Sequence, residues 1–428
     1  MTLRSVVAAT CLLVLVSSNP ALAAPGDLDT SFSGDGVVHT DVSSDRTVTD
    51  TAFGVAVQDD GGIVAIGRAS GSGGRFALVR YEPDGTLDPD FGLGGKVRTD
   101  LTPGADAAFG VAVQPDGKIV VVGRAGPSSG GAFALARYEA DGTLDATLRG
   151  DGTVITRFDD GAAASSVALD ADGRIVTAGR VGPAFAVVRY LQNGRLDVSF
   201  GNDGTVLTDF GPGRESAAAL SIDVNGAIIA AGTAGLRASG AGDSMFAVAR
   251  YTADGDPDAT LGGDGSLTVE LSSAGDIAHG VATDPAHRIV IVGTTGVGAI
   301  DPDTRSAVVR LETDGTFDPT FSDDGVRAMN VTNRPDVATA VGLQSDGKVV
   351  VSGTSRGVGR CCPSKAWLLR YSAAGRPDQT FEGGEVVTDP DDVRAARAVA
   401  VQPDGRIVLA GLAVDRGSRF AVLRYLGA

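Results

Sequence analysis

Few residues in this sequence have the types and spacing to do chemistry. Its three histidines are His39, His279 and His287. Cys361 and Cys362 are adjacent, and such a pair can close a strained vicinal disulfide, although a Cα spacing of about 3.8 Å is shorter than ordinary disulfides adopt. Beside Pro363 and near Trp367, that ring would make a rigid ligand platform. A redox-labile pair, a metal-binding pair and two neutral thiols are the alternatives; the one other cysteine, Cys11, lies in the N-terminal apolar run, so no companions remain to build a zinc site. An acidic series, Asp50, Asp106, Glu215, Asp276 and Asp336, recurs along the chain. Five carboxylates near one face are a weak candidate for a Ca²⁺ site, because hard cations take several oxygen ligands, and otherwise no cofactor is expected. The same residues also suit the capping of loop amides.

Three residues after each of these acidic residues, and after Ala162 and Arg394 at the two equivalent places, comes a position that varies along the chain: Phe53, Phe109, Ser165, Ala218, His279, Thr339 and Arg397. Among these, Phe53, Phe109, His279 and Arg397 offer aromatic, imidazole and guanidinium groups, a set able to hold a polar ligand. Gly-x-Ser-x-Gly occurs at Gly126–Gly130 and Gly353–Gly357, but both copies lie between β-strands rather than on the strand-to-helix turn that a nucleophile elbow needs. There is no phosphate-cradling loop and no dinucleotide fingerprint.

The elements that must position these groups follow from internal repetition. Phe-Ala-x-x-Arg-Tyr and its variants recur about every 57 residues, with the arginine at Arg80, Arg137, Arg189, Arg250, Arg310, Arg370 and Arg424. Leu-Asp-x-x-Phe recurs in step, with the aspartate at Asp29, Asp88, Asp145, Asp197, Asp258, Asp318 and Asp378. Each unit reads as four short strands. In the second unit these are Gly110–Gln114, Lys118–Gly123, Phe133–Tyr138 and Gly152–Thr156, with Asp116-Gly117 and Asp141-Gly142 as hairpin turns. No segment keeps a 3.6-residue apolar period, so helices should be few.

Seven such units predict an all-β protein, a seven-bladed β-propeller of four-stranded antiparallel blades. The blades are expected near 51–100, 107–157, 163–209, 216–270, 277–331, 337–389, and 394–428 with 34–42. The chain opens on a fourth strand and ends on a third, so the N-terminal strand should complete the C-terminal blade. Small residues such as Gly54 and Ala56, Gly110 and Ala112, and Ala398 and Ala400 mark the innermost strands, where convergence on an axis leaves little room. The differing positions should then ring the mouth of the central channel. Loops joining second to third strands vary most (179–184, 232–244, 293–306, 353–365) and should share that face.

Through Leu-Asp-x-x-Phe-Gly, Gln-Pro-Asp-Gly-Lys-Ile-Val and Phe-Ala-Leu-x-Arg-Tyr the chain resembles the delta-60 repeat family, bacterial β-propeller-like repeats often found in exported proteins. The resemblance supports the fold and supplies no catalytic residues. Leu311 in place of the tyrosine and His287 in place of a turn glycine depart from the pattern. Repetition also sorts the residues. What every blade carries, the Arg and Asp series above all, is most simply structural, as partners within a blade or between neighbours, whereas a functional site should break the symmetry.

Residues 1–23 read as a secretory leader: Arg4, an apolar run from Val6 to Val16, and a small-residue cleavage site at Ala21-Leu22-Ala23. The protein is expected outside the cytoplasm, secreted or periplasmic, as a monomer without a membrane span. A formal charge of −17 repels phosphate backbones and argues against nucleic-acid binding. With 43% hydrophobic and 21% charged residues the chain is globular. The expected function is a binding or protein-interaction scaffold with a protein or glycan partner. The alternative is an extracytoplasmic hydrolase or lyase working at the channel mouth.

Overall fold

The computed structural model describes residues 23–43, 49–70, 73–127, 130–236, 244–297, 304–357, 363–388, 393–414 and 417–427. Residues 1–22 of the expected leader and the Cys361-Cys362 pair lie outside the described residues. Twenty-eight strands form seven four-stranded antiparallel sheets, and the one short helical turn described is Glu382–Gly384. The protein is a seven-bladed β-propeller. No helix among the described residues is long and apolar enough to cross a membrane.

Six blades run in simple sequence order from the innermost strand outward. The seventh takes its inner strands from Val393–Val401, Ile407–Val414 and Ser418–Tyr425, and its outer strand from Val37–Thr40. Val37 faces Leu423 and Thr40 faces Phe420, so the two ends of the chain close the ring. Additional closure comes from Gly26 N–H to the Leu426 carbonyl and Leu426 N–H to the Asp27 carbonyl, at 2.8 and 2.9 Å.

The core lies between blades rather than within them, because each sheet has two apolar faces and only a neighbour can cover them. Val64, Ile66, Phe76 and Leu78 of the first blade, for example, pack on Ala108, Ile119, Val121 and Ala134 of the second. The closing interface is built in the same way, with Ala52 and Ile63 against Val408, Phe420 and Val422. Hydroxyls tie the blades at their rims: Tyr138 to Thr99, Tyr190 to Thr156 and Tyr81 to Thr40, at 2.7–2.8 Å. His287, in the left-handed region at φ 63°, replaces a turn glycine and bridges to the preceding blade through Nδ1 to Asp223 Oδ2 at 2.9 Å.

The repeated Arg and Asp residues pair as a joint. Arg137–Asp145, Arg189–Asp197, Arg250–Asp258, Arg310–Asp318 and Arg370–Asp378 meet within their blades, Nε to carboxylate, at 2.6–2.9 Å. Arg80 binds Asp88 through Nη1 instead, because its Nε donates to Gln58 Oε1 at 2.6 Å. Arg424 binds Asp29 at 2.8 Å and so joins the two ends of the chain. The Phe of the motif lies under the guanidinium, with Phe200, Phe321, Phe381 and Phe32 at 4.3–4.8 Å. The guanidinium then donates to a turn carbonyl of the next blade, as Arg250 does to Thr313 at 2.6 Å. Burial alone would raise the aspartate pKa values. Hydrogen bonds from the Ser or Thr two residues on, together with the arginine, outweigh it and hold Asp318 down at about 2. One motif thus sets a turn, neutralises a buried charge and fastens neighbouring blades.

Candidate functional site

In each blade the innermost strand carries a β-bulge. The register slips between Ala52 and Gly54, Ala108 and Gly110, Ala164 and Ser166, Ala217 and Ala219, Ala278 and Gly280, Ala338 and Ala340, and Ala396 and Ala398. The extra residue is Phe53, Phe109, Ser165, Ala218, His279, Thr339 or Arg397, the series that differs from blade to blade. A bulge residue has no partner in the ladder, and the kink re-aims its side chain. Here the aim is inward: all seven line one cavity of about 500 Å³ around the axis.

The innermost strands begin earlier than the sequence suggests. In the second blade the strand runs Ala107–Val113 rather than from Gly110, because pairing continues through the bulge. The bulge also accounts for a glycine in every second strand. A Cβ at Gly67, Gly123, Gly179, Gly232, Gly293, Gly353 or Gly411 would collide with the carbonyl oxygen two residues before the bulge residue, for instance that of Thr51 opposite Gly67. Each bulge residue directly follows a buried alanine, from Ala52 to Ala396. This buried alanine opposite a strand glycine is the sequence signal for the bulge.

The seven side chains are not evenly mixed. Phe53 and Phe109 stand side by side, edge to face, with ring centroids 5.3 Å apart. The Arg124 guanidinium lies 6.0 Å from the Phe109 ring. Ser165 and Ala218 leave the third and fourth blades open. His279, Thr339 and Arg397 make the remaining arc polar, and the seventh blade brings Arg397 next to Phe53. The Thr339 and Thr354 hydroxyls lie 3.1 and 3.2 Å from the Ala396 carbonyl, which fixes the bulge that presents Arg397. Burial pushes the His279 imidazole down to about 4, and the charges of Arg356 and Arg397 add to that shift. His279 is therefore neutral at pH 7. Burial and Arg356 likewise lower Arg397, whose side chain reaches the water of the channel while protein surrounds it.

The five acidic residues do not converge. Each stands at or beside the start of its own blade's innermost strand, nearly inaccessible, and turns toward the loop before it. Asp106 accepts from the amides of Leu101, Thr102 and Gly126 at 2.8–2.9 Å. Asp50 accepts from Val42, Ser43 and Ser70, and Asp336 from Val331 and Thr332. Asp276 accepts from Leu271 and Ser272, and Glu215 from Phe210. No cluster of three or more His, Cys, Asp or Glu that could hold a metal occurs among the described residues. Among the described residues the cavity lining holds no carboxylate, and its ionisable groups there are His279 and Arg397. Trp367 is wholly buried between blades against Gly353, which removes it from any platform built on the neighbouring loop.

The sequence model of a family described as a β-propeller domain of unknown function, DUF5122, matches residues 58–91, 114–148, 171–200, 225–261, 288–321 and 402–427. These stretches cover second and third strands and the Arg–Asp joint, and every bulge residue falls outside them. No curated protein matches the chain. Among solved structures, the chain is similar to Drosophila plexin A in complex with semaphorin 1b, at 12% identity and a TM-score of 0.46, over 93% of this chain and 88% of that one. It is similar to Chaetomium thermophilum Sqt1 bound to the N-terminus of ribosomal protein L10, at 12% identity and a TM-score of 0.47, over 91% and 98%. Tricorn protease aligns at 12% identity and a TM-score of 0.45, over 89% of this chain and 34% of that one, so the chain spans about a third of its length. At these identities the likeness is one of fold.

Proposed function

We propose that this protein is an exported binding scaffold that takes its ligand or partner at the face where the bulge ring and the long loops meet. The observation that carries the reading is the asymmetry of the bulges. Each blade repeats its core, joints and turns, yet the seven present six residue types to one shared cavity, with only phenylalanine used twice. Packing gives no reason for Phe53, His279 and Arg397 to differ at equivalent positions, whereas recognition of an unsymmetrical partner does. Among the described residues no carboxylate lines the cavity, which favours binding over acid–base hydrolysis.

The test is a thermal-shift panel of glycans, small metabolites, candidate partner proteins and divalent cations on the wild-type protein and on Ala218→Trp, which fills the open side of the mouth. Binding to the folded state raises the melting temperature by mass action. A compound that shifts the wild type and not the variant supports the reading. Equal shifts in both proteins, or none across the panel, count against it.

A further inference from the structure

The proposed binding role leaves the ligand class open, and the charges around the cavity narrow it. On a chain of net charge −17, the polar arc of the mouth is cationic. Arg397 enters the cavity, and Arg356, outside its lining, lies two residues beyond Thr354, whose hydroxyl is 3.2 Å from the Ala396 carbonyl just before Arg397; its charge acts on both Arg397 and His279. Twelve arginines, the seven of the joints together with Arg75, Arg174, Arg288, Arg376 and Arg406, are held in ion pairs with carboxylates. Among the described residues Arg397 and Arg356 have none. Two guanidiniums held near each other without a counter-ion form a ready receptor for a planar anion, since the fork of an arginine matches a carboxylate in two parallel hydrogen bonds.

Next to Arg397 around the ring, the Phe53–Phe109 pair supplies an apolar wall with no polar demand of its own. Ser165 and Ala218 opposite leave room for the body of a small ligand. A neutral His279 adds a hydrogen-bonding group without a further charge.

Resting on the binding role proposed above, the geometry points to a small organic carboxylate with an apolar ring face as the ligand of the channel mouth. Its carboxylate lies between Arg397 and Arg356, and its ring against Phe53 and Phe109. The ring can be an aryl group or the C–H face of an acidic sugar, which present the same chemistry to this site.

Isothermal titration of the purified protein with benzoate, benzamide, glucuronate, glucose and acetate tests this assignment. Either ring carboxylate should bind at least about tenfold more tightly than its neutral counterpart and than acetate, and added salt should weaken it. Whichever of benzoate and glucuronate binds more tightly identifies the ring. Arg397→Ala and Arg356→Ala should each weaken binding about tenfold or more, and Phe53→Ala should weaken both ring ligands while leaving acetate unchanged. Arg397→Lys, which keeps the charge and loses the fork, should recover part of the affinity and guards against a folding artefact. Benzamide binding as tightly as benzoate, Arg397→Ala keeping wild-type affinity, or no carboxylate binding at millimolar concentration would overturn the assignment. If a neutral compound shifts the wild type but not Ala218→Trp, the binding role stands and the carboxylate assignment falls.

Discussion

Asp29→Ala should open the ring at its seam. Asp29 is almost fully buried and takes Arg424 Nε and Arg406 Nε at 2.8 and 2.9 Å, as well as the Ser31 amide and hydroxyl. Removing one partner of a buried ion pair costs about 3–5 kcal/mol. Arg424 would keep Ser31 Oγ at 3.0 Å, the Pro83 carbonyl and the Phe32 ring, so the low end of that range, about 3 kcal/mol, is the working value. Asp145→Ala is the matched control, because it breaks the same joint inside one blade, where the chain is continuous. At about 2.1 cal/mol/K per residue over some 400 residues, 3 kcal/mol corresponds to a fall of about 4 °C in melting temperature for either variant if the ring unfolds as one unit.

Hydrogen exchange separates the two variants. In Asp29→Ala the amides of 37–40 and of 420–423, which pair across the seam, should exchange more than a hundredfold faster, since each 1.36 kcal/mol is tenfold. In Asp145→Ala the same seam amides should keep their protection, because they exchange through opening of the seam and that pair lies in another blade. Unchanged exchange at 37–40 in Asp29→Ala would refute the view that this pair holds the seam. So would the same exchange pattern in both variants.

Gly179→Ala should destabilise the third blade by more than an ordinary glycine-to-alanine change, because the new Cβ meets the Ala163 carbonyl; a denaturant midpoint equal to that of the wild type would show that the bulge is not required. On acidification, stability should decline first between about pH 6.5 and 4. The folded His279 has a pKa lowered to about 4, so below 6.5 the unfolded chain takes up a proton that the folded one refuses, and His279→Gln should remove that part of the decline in a pH series of unfolding curves. A second loss should follow below about pH 4, where Asp29, Asp197, Asp258 and Asp378, whose folded pKa values are lowered, must be protonated; it should persist in His279→Gln. Tyr190→Phe should cost about 1 kcal/mol by removing the Thr156 bond between blades, as read from chemical denaturation.

Much of this architecture was open to a reading of the chain alone, and repetition is the reason. Seven copies of Phe-Ala-x-x-Arg-Tyr and Leu-Asp-x-x-Phe state the blade count. The Asp-Gly pairs state the hairpins, and the phase of the termini states that Val37–Thr40 must complete the last blade. Such features are local, or depend only on spacing, so they survive without coordinates. The differing series from Phe53 to Arg397 could likewise be placed at the channel mouth, because small residues on either side mark the hub.

What only the tertiary structure decided is how those side chains are presented and which of them meet. A bulge depends on pairing with a second strand, so Phe109 looks like the residue before a strand until Gly123 is seen facing Ala108. The carboxylates of Asp50, Asp106, Glu215, Asp276 and Asp336 share a sequence position, yet the loops folded over them set what they do. In the structure each is turned to its own loop's amides. The meeting of Arg397 and Arg356, with the neutral His279 beside them, arises because ring closure brings separate blades around one axis. Proximity of that kind is written in no single repeat.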